Sequence, residues 1–259
     1  MNPTDLEELA RAIAPIDLGG CPMYVVPCDA DDLPTQFRGF SFAGLTSTWL
    51  DLALHPWLVS CGAWCGRGPA IVVNSTSTRC GAVADADGPG DFADELYRTR
   101  LSATFVHELA HVLGQPIDID SAPDLPERGL LAAAEVARWA RGEHRTPPHP
   151  WAGHDWTFVR LLLHVVYRAE RLLGESLPAN WLFGARHYGL SPWWSYKHAL
   201  GDEPERMAGA TFAEIRETAP PTGFLRLWRE DVLRFFESSS AVPRVAAASF
   251  SVSPKESCE

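Results

Sequence analysis

His107-Glu108-Leu109-Ala110-His111 is the stretch on which the reading of this chain turns. On an α-helix, residues i and i+4 stand one turn apart on the same face, so both imidazoles can reach a single metal ion. Glu108 is turned about 100° from His107 on the helical wheel, which sets its carboxylate beside the metal, within reach of a proton on a bound water. The 259 residues include 9 His and 17 Glu. Chance would assemble such a pentapeptide in about 2% of chains of that composition, so the spacing is read as a metal site.

The surrounding pattern supports a helix. Asp91 or Asp94 can cap its start, Gly114 sits just past Leu113 at its end, and Pro116 prevents continuation. The motif then occupies the last two turns of about five to six. Upstream, 69–74 (Pro-Ala-Ile-Val-Val-Asn) is apolar and β-branched, framed by Gly68 and a Ser/Thr run, and reads as a strand; Met23 to Val26 is a shorter strand candidate. Thr4 to Ile13 places Leu6, Leu9, Ala10 and Ile13 on one helical side. The segment from Phe40 to Leu54 is ambiguous between strand and helix.

Downstream, proline-rich and acidic loops enclose a helical stretch from Leu130 to Arg141. A helix from Asp155 to Leu173, closed by Gly174, is apolar on nearly every side and reads as a central buried element. Beyond it lie a loop rich in Trp and Pro, a helix near Thr211 to Thr218, and another from Gly223 to Phe236. Residues 238–259 are small, polar and proline-bearing, and are expected to be a mobile tail. The expected organisation is a domain over 1–173, a helical extension over 174–237 packed on it, and the tail.

Composition bounds the function. A hydrophobic content of 46% and a charged content of 21% are ordinary for a globular chain large enough to bury a sizeable core. The net charge of -11 speaks against general affinity for nucleic acid or anionic membrane surfaces. No apolar run approaches the roughly 18 residues that span a bilayer. The acidic N-terminus has no apolar signal region, so a cytoplasmic location is expected. Cys21, Cys28, Cys61, Cys65, Cys80 and Cys258 form no C-x-x-C pair and are read as reduced thiols, with Cys61 and Cys65 as the weak alternative of a metal knuckle.

A catalytic zinc takes three protein ligands and keeps one position open for water or substrate. His154, 43 residues after His111 and at the start of the buried helix, heads the candidates for the third ligand, and Gly153 beside it would allow close backbone approach. Glu135, 24 residues after His111, would complete a His₂Glu set instead; its plain alternative is a solvated helix face. His144 and His149 flank prolines in a polar loop and read as exposed. His164 lies about 280° around the wheel from His154, so it reads as a core histidine bonded to a backbone carbonyl.

The pentapeptide, followed by Gly153-His154-x-x-Phe158 opening a helix, resembles the SprT-like zinc metallopeptidases and their minigluzincin-like relatives. The resemblance covers roughly residues 70 to 172 and rests on those two short motifs. It implies an α+β, zincin-like fold, in which a short mixed sheet packs on the H-E-x-x-H helix and a second buried helix, with a mostly helical C-terminal extension. It also implies one Zn²⁺ held by His107, His111 and His154. The gap of 43 implies an inserted helix and loop, and no cysteines are placed to form the C-terminal zinc ribbon of some members.

The function expected is peptide-bond hydrolysis by a zinc-activated water with Glu108 as general base, on a protein or peptide substrate, without nucleic acid or membrane. The alternative is a catalytically silent, zincin-like metal-binding protein acting as a binding or structural module. Strand Ile71 to Asn74 could offer its edge to an extended peptide. Tyr188, His187 and Tyr196 are candidate oxyanion donors, with packing as their plain role. Trp181, Trp193 and Trp194 with Tyr188 either line a cleft or cover the long helix, and Asp155 is a candidate partner for a ligating imidazole.

Overall fold

The computed structural model describes residues 3–38, 43–115, 126–140, 151, 154–182 and 189–241. Its frame is a three-stranded mixed sheet in the order β1-β3-β2, formed by β1 (Tyr24–Pro27), β2 (Gly44–Thr46) and β3 (Ala70–Val73). β1 runs parallel to β3, with Tyr24 opposite Ala70; β2 runs antiparallel to it, with Leu45 opposite Val72. β3 is buried along its whole length.

Side chains alternate across a strand, and here the alternation sorts two cores. Val25, Ile71 and Val73 face a core shared with α1 (Pro3–Ile13), α4 (Asp91–Gly114) and α6 (Trp156–Leu173). Tyr24, Val26, Ala70 and Val72 face the other, shared with α2 (Leu50–Ser60), a short 3-10 turn (Thr35–Phe37) and α5 (Pro126–Ala140). The sheet is thus covered on both faces, and the class is α+β with helix predominating.

Helices α1, α4, α5 and α6 lie close to where they are expected, but α5 begins at Pro126, four residues before Leu130, and α4 includes Gly114, with Gln115 as its C-cap. Leu6, Leu9, Ala10 and Ile13 are all buried on α1. α6 starts on Asp155, whose side chain accepts from the Phe158 N–H at 2.9 Å, and ends on Gly174 at φ 70°, a left-handed conformation that costs glycine nothing. From Phe158 to Ala169 every α6 side chain except Tyr167 is buried. On α4, neither acidic candidate supplies the cap: Gly90 is the N-cap residue and makes no side-chain bond.

Several elements differ from expectation. The ambiguous 40–54 segment divides into β2 and the start of α2, whose Pro56 sits inside the helix. The Ser/Thr run after β3 is itself helical, α3 (Ser75–Asp85), because the Asn74 side chain accepts from the Ser77 N–H and caps it. The Trp- and Pro-rich stretch contains α7 (Ala179–Leu182), α8 (Trp193–Leu200) and α9 (Glu203–Arg206); α10 (Phe212–Glu217) and α11 (Thr222–Ala241) follow. α11 continues through residues 238–241, where the tail was expected to begin; 242–259 lie outside the described residues. Tyr196, Phe212, Phe224 and Trp228 of these helices join the same core as α4 and α6.

Candidate metal centre

α4 carries His107 and His111 one turn apart, and the residue preceding the α6 cap carries His154. Their ligand-capable nitrogens all lie within 4.8 Å of one another, and His111 Nε2 stands 3.0 Å from His154 Nε2. Two nitrogens tetrahedrally bound at about 2.0–2.1 Å from one ion would be about 3.4 Å apart, so the observed spacing fits one metal ion with little movement. Among the described residues this is the one group of three or more metal-capable side chains that converges.

The outer nitrogens of two rings are tied to backbone carbonyls. His107 Nδ1 lies 2.7 Å from the Leu182 oxygen, and His154 Nδ1 lies 2.8 Å from the Trp151 oxygen. A carbonyl can only accept, so each Nδ1 carries the proton and each Nε2 keeps its lone pair for a metal. Phe158 underlies the cluster, stacked on His111 and His154 at 4.1 Å each and tilted on His107 at 5.1 Å. Burial lowers His107 to about 4, with the neighbouring His154 adding to the effect and the Leu182 carbonyl opposing it. Burial, then the charges of His107 and His154, lowers His111 to about 2. Neutral rings at pH 7 are the form that ligates.

Glu108, next to His107 on α4, faces β2 of the sheet. Its buried carboxylate accepts the Thr46 backbone N–H of β2. Burial pushes the carboxyl up to about 8, against that hydrogen bond. A cation among the three imidazoles acts in the opposite direction and favours the carboxylate. β2 comes this close because residue 44 is glycine: a Cβ there would meet Glu108 Cγ at 2.7 Å and Thr104 Cγ2 at 2.9 Å. Past Thr46, a cleft runs between residues 46–51, residues 67–70, Val112 on the last turn of α4 and Gln115 just beyond it.

The remaining candidates sit elsewhere. Glu135 is on α5, which packs on the opposite face of the sheet from α4, and it is not part of the converging group. His164 is fully buried, but its Nε2 bonds the Glu203 carboxylate at 2.9 Å rather than a backbone carbonyl. Tyr196 is fully buried and spends its hydroxyl on Asp231 at 2.6 Å while accepting from Trp151 Nε1 at 3.2 Å, which removes it as an oxyanion donor. Asp155 caps α6 and bonds no imidazole in that role. Trp181 and Trp193 pack partly buried on the main core, while Trp194 is exposed. The expected peptide-binding edge also differs: β3 is paired on both sides, and β2, the strand over Glu108, is paired on one side only among the described residues. Gly153, His144, His149, His187 and Tyr188 lie outside the described residues.

The carbonyls of Leu182 and Trp151, and the N–H of Thr46, are the functional groups that sequence reading misses. They are backbone atoms, and no residue type signals them. Phe158 was present in the Gly-His-x-x-Phe element without a role; the structure gives it one. Among the described residues no disulfide joins Cys21, Cys28, Cys61, Cys65 and Cys80, and Cys258 is outside them. Among the described residues no helix is long and apolar enough to cross a membrane. Comparison of the chain with family models, with curated proteins and with solved structures finds no match.

Proposed function

We propose that this chain is a zinc-dependent metallopeptidase of zincin-like architecture, in which His107, His111 and His154 hold one Zn²⁺ and Glu108 is the general base. The convergence of the three imidazoles, two with Nδ1 committed to carbonyls, beside a buried carboxylate is the observation that carries this reading. A bound zinc ion supplies a water whose pKa is lowered toward 7 and a Lewis acid for the scissile carbonyl. Glu108 takes the proton and later delivers it to the leaving amine. The Thr46 N–H fixes the carboxylate while it does so.

The substrate proposed is an extended segment of protein or peptide. Laid along the side of β2 that pairs with no strand among the described residues, its backbone pairs with β2 and passes Glu108, and its flanking side chains reach the cleft beyond Thr46. The net charge of -11 favours neither nucleic acid nor anionic membrane as a partner, and a cytoplasmic setting remains part of the proposal.

Hydrolysis of unfolded casein by the zinc-loaded chain tests the reading, with chelator and Glu108→Gln alongside. The wild type should cleave, chelator should stop it, and Glu108→Gln should keep its zinc but lose turnover by about a thousandfold or more, since the base is removed and the ligands remain. Zinc bound with no turnover by the wild type on casein or a diverse peptide library gives the silent metal-binding module instead, and turnover undiminished in Glu108→Gln contradicts its role.

A further inference from the structure

The proposed third ligand, His154, lies outside α6, which begins at Trp156. Both its backbone N–H and its Nδ1–H are donated to one atom, the Trp151 carbonyl oxygen, at 2.9 and 2.8 Å. The orientation of His154 is therefore inherited from Trp151.

Trp151 is in turn fastened by the C-terminal helices. Its indole Nε1–H donates to the Tyr196 hydroxyl on α8 at 3.2 Å, and the two rings meet edge to face at 5.1 Å. The Tyr196 O–H donates to Asp231 Oδ2 on α11 at 2.6 Å. A phenol that gives its proton to a carboxylate is a better acceptor for the indole, so the bonds reinforce one another. Trp151, Tyr196 and Asp231 are 2%, 0% and 0% exposed, so no water competes for these bonds. Asp231 also accepts from the Ser191 backbone N–H and hydroxyl and from Arg234 Nη1, which compensate its buried charge.

We infer that the Asp231–Tyr196–Trp151 chain is a positioning relay for the metal ligand His154, which makes the C-terminal helices part of the metal centre. The inference rests on the metal-site reading above. α7 acts in the same sense on the other side, where the Leu182 carbonyl fixes His107. Two of the three proposed ligands are thus held from residues beyond 150, either directly or through Trp151. The pentapeptide contributes the rings, and the later helices aim them.

Tyr196→Phe and Trp151→Phe each remove one hydrogen-bonding group and keep an aromatic ring. In Tyr196→Phe, Asp231 retains Ser191 and Arg234 as partners, so no buried charge is stranded. The readouts are zinc affinity by competition with a chromophoric chelator, and the visible absorption of the Co²⁺-substituted protein, which reports ligand geometry. Each single variant should weaken zinc about tenfold, the lower end for groups that orient a ligand, and should shift the Co²⁺ bands. The double variant should cost no more than either single, because both break the same relay. Phe235→Leu, a buried change on α11 one turn beyond Asp231 that takes away none of these hydrogen-bonding groups, controls for destabilisation and should leave affinity and spectrum unchanged.

Wild-type affinity and spectrum in both Phe variants overturn the relay, whatever their melting temperatures do. So does an equal loss in Phe235→Leu, which would show that any weakening of α11 acts alike. A wild type that binds no metal overturns the metal-site reading, and the relay with it.

Discussion

A methyl group added at Gly44 would sit 2.7 Å from Glu108 Cγ and 2.9 Å from Thr104 Cγ2, well inside van der Waals contact. The clash falls on the middle of the glutamate side chain, which cannot swing away without moving its carboxylate. Gly44→Ala should therefore displace the base or push β2 off α4, and a displacement of about 1 Å costs on the order of a hundredfold in turnover. The atoms that a Cβ at Gly44 would meet belong to Glu108 and Thr104 and not to the three imidazoles, so zinc content should stay at the wild-type level. Steady-state kinetics with metal analysis of the same sample checks both halves: full activity, or loss of zinc along with activity, contradicts the geometry. Gly44 gave no signal in the sequence, since a glycine that permits close approach is identical on paper to one in a loop.

At the scale of elements, what could be read followed the length and strength of the pattern. α6 was legible because its 18 residues are apolar on nearly every side and close on Gly174, and α4 because its 24 residues carry the pentapeptide and stop just before Pro116. β2, α7 and α9 have three or four residues each, too few for a period to emerge, and their places are set by what they pack against. α3 went unread because its Ser and Thr residues are weak helix formers, and the Asn74 cap that starts it is visible only in the structure. The histidines that converge were legible from their spacing and the quoted motifs; the carbonyls bonded to two of them were not. Asp155 is assigned differently from expectation, as a helix cap beside His154. Asp155→Ala should cost about 1 kcal/mol of unfolding free energy, the usual worth of such a cap. Denaturant titration that finds no loss would remove the cap from the account of how α6 begins.

Across the whole molecule, α6 and the C-terminal helices are joined through a buried ion pair. Arg160 and Glu203, with side chains 1% and 3% exposed, meet at 2.7 Å, and His164 Nε2 donates to the same carboxylate oxygen at 2.9 Å. Arg160 also donates to the Thr218 carbonyl. Glu203→Gln strands the buried guanidinium without a counter-charge and should cost about 3 kcal/mol. The pH dependence has a definite sign. Burial raises the Glu203 carboxyl, but hydrogen bonds from His164 and Arg160 outweigh it and leave the group below its ordinary value of 4.5. Its contribution is present above that value and is lost as pH falls through the lower folded one. His164 is lowered from 6.5 by burial, against the pull of Glu203, so protonation below 6.5 also favours the unfolded chain. Stability should therefore fall with acid in two stages, below 6.5 and again below 4.5, and Glu203→Gln should flatten the second. Denaturation midpoints from pH 7 to 3 that fall equally in the two proteins below 4.5 would contradict it.

The joining of α4, the start of α6 and the later helices around one ion is the claim on which the rest depends. Zinc stoichiometry of the full chain, measured by elemental analysis after dialysis for the wild type, His154→Ala and Glu135→Ala, tests it most directly. The geometry predicts one zinc per chain in the wild type and in Glu135→Ala, and loss of tight zinc in His154→Ala. Zinc kept by His154→Ala and lost from Glu135→Ala, or absent from the wild type after zinc loading, contradicts it.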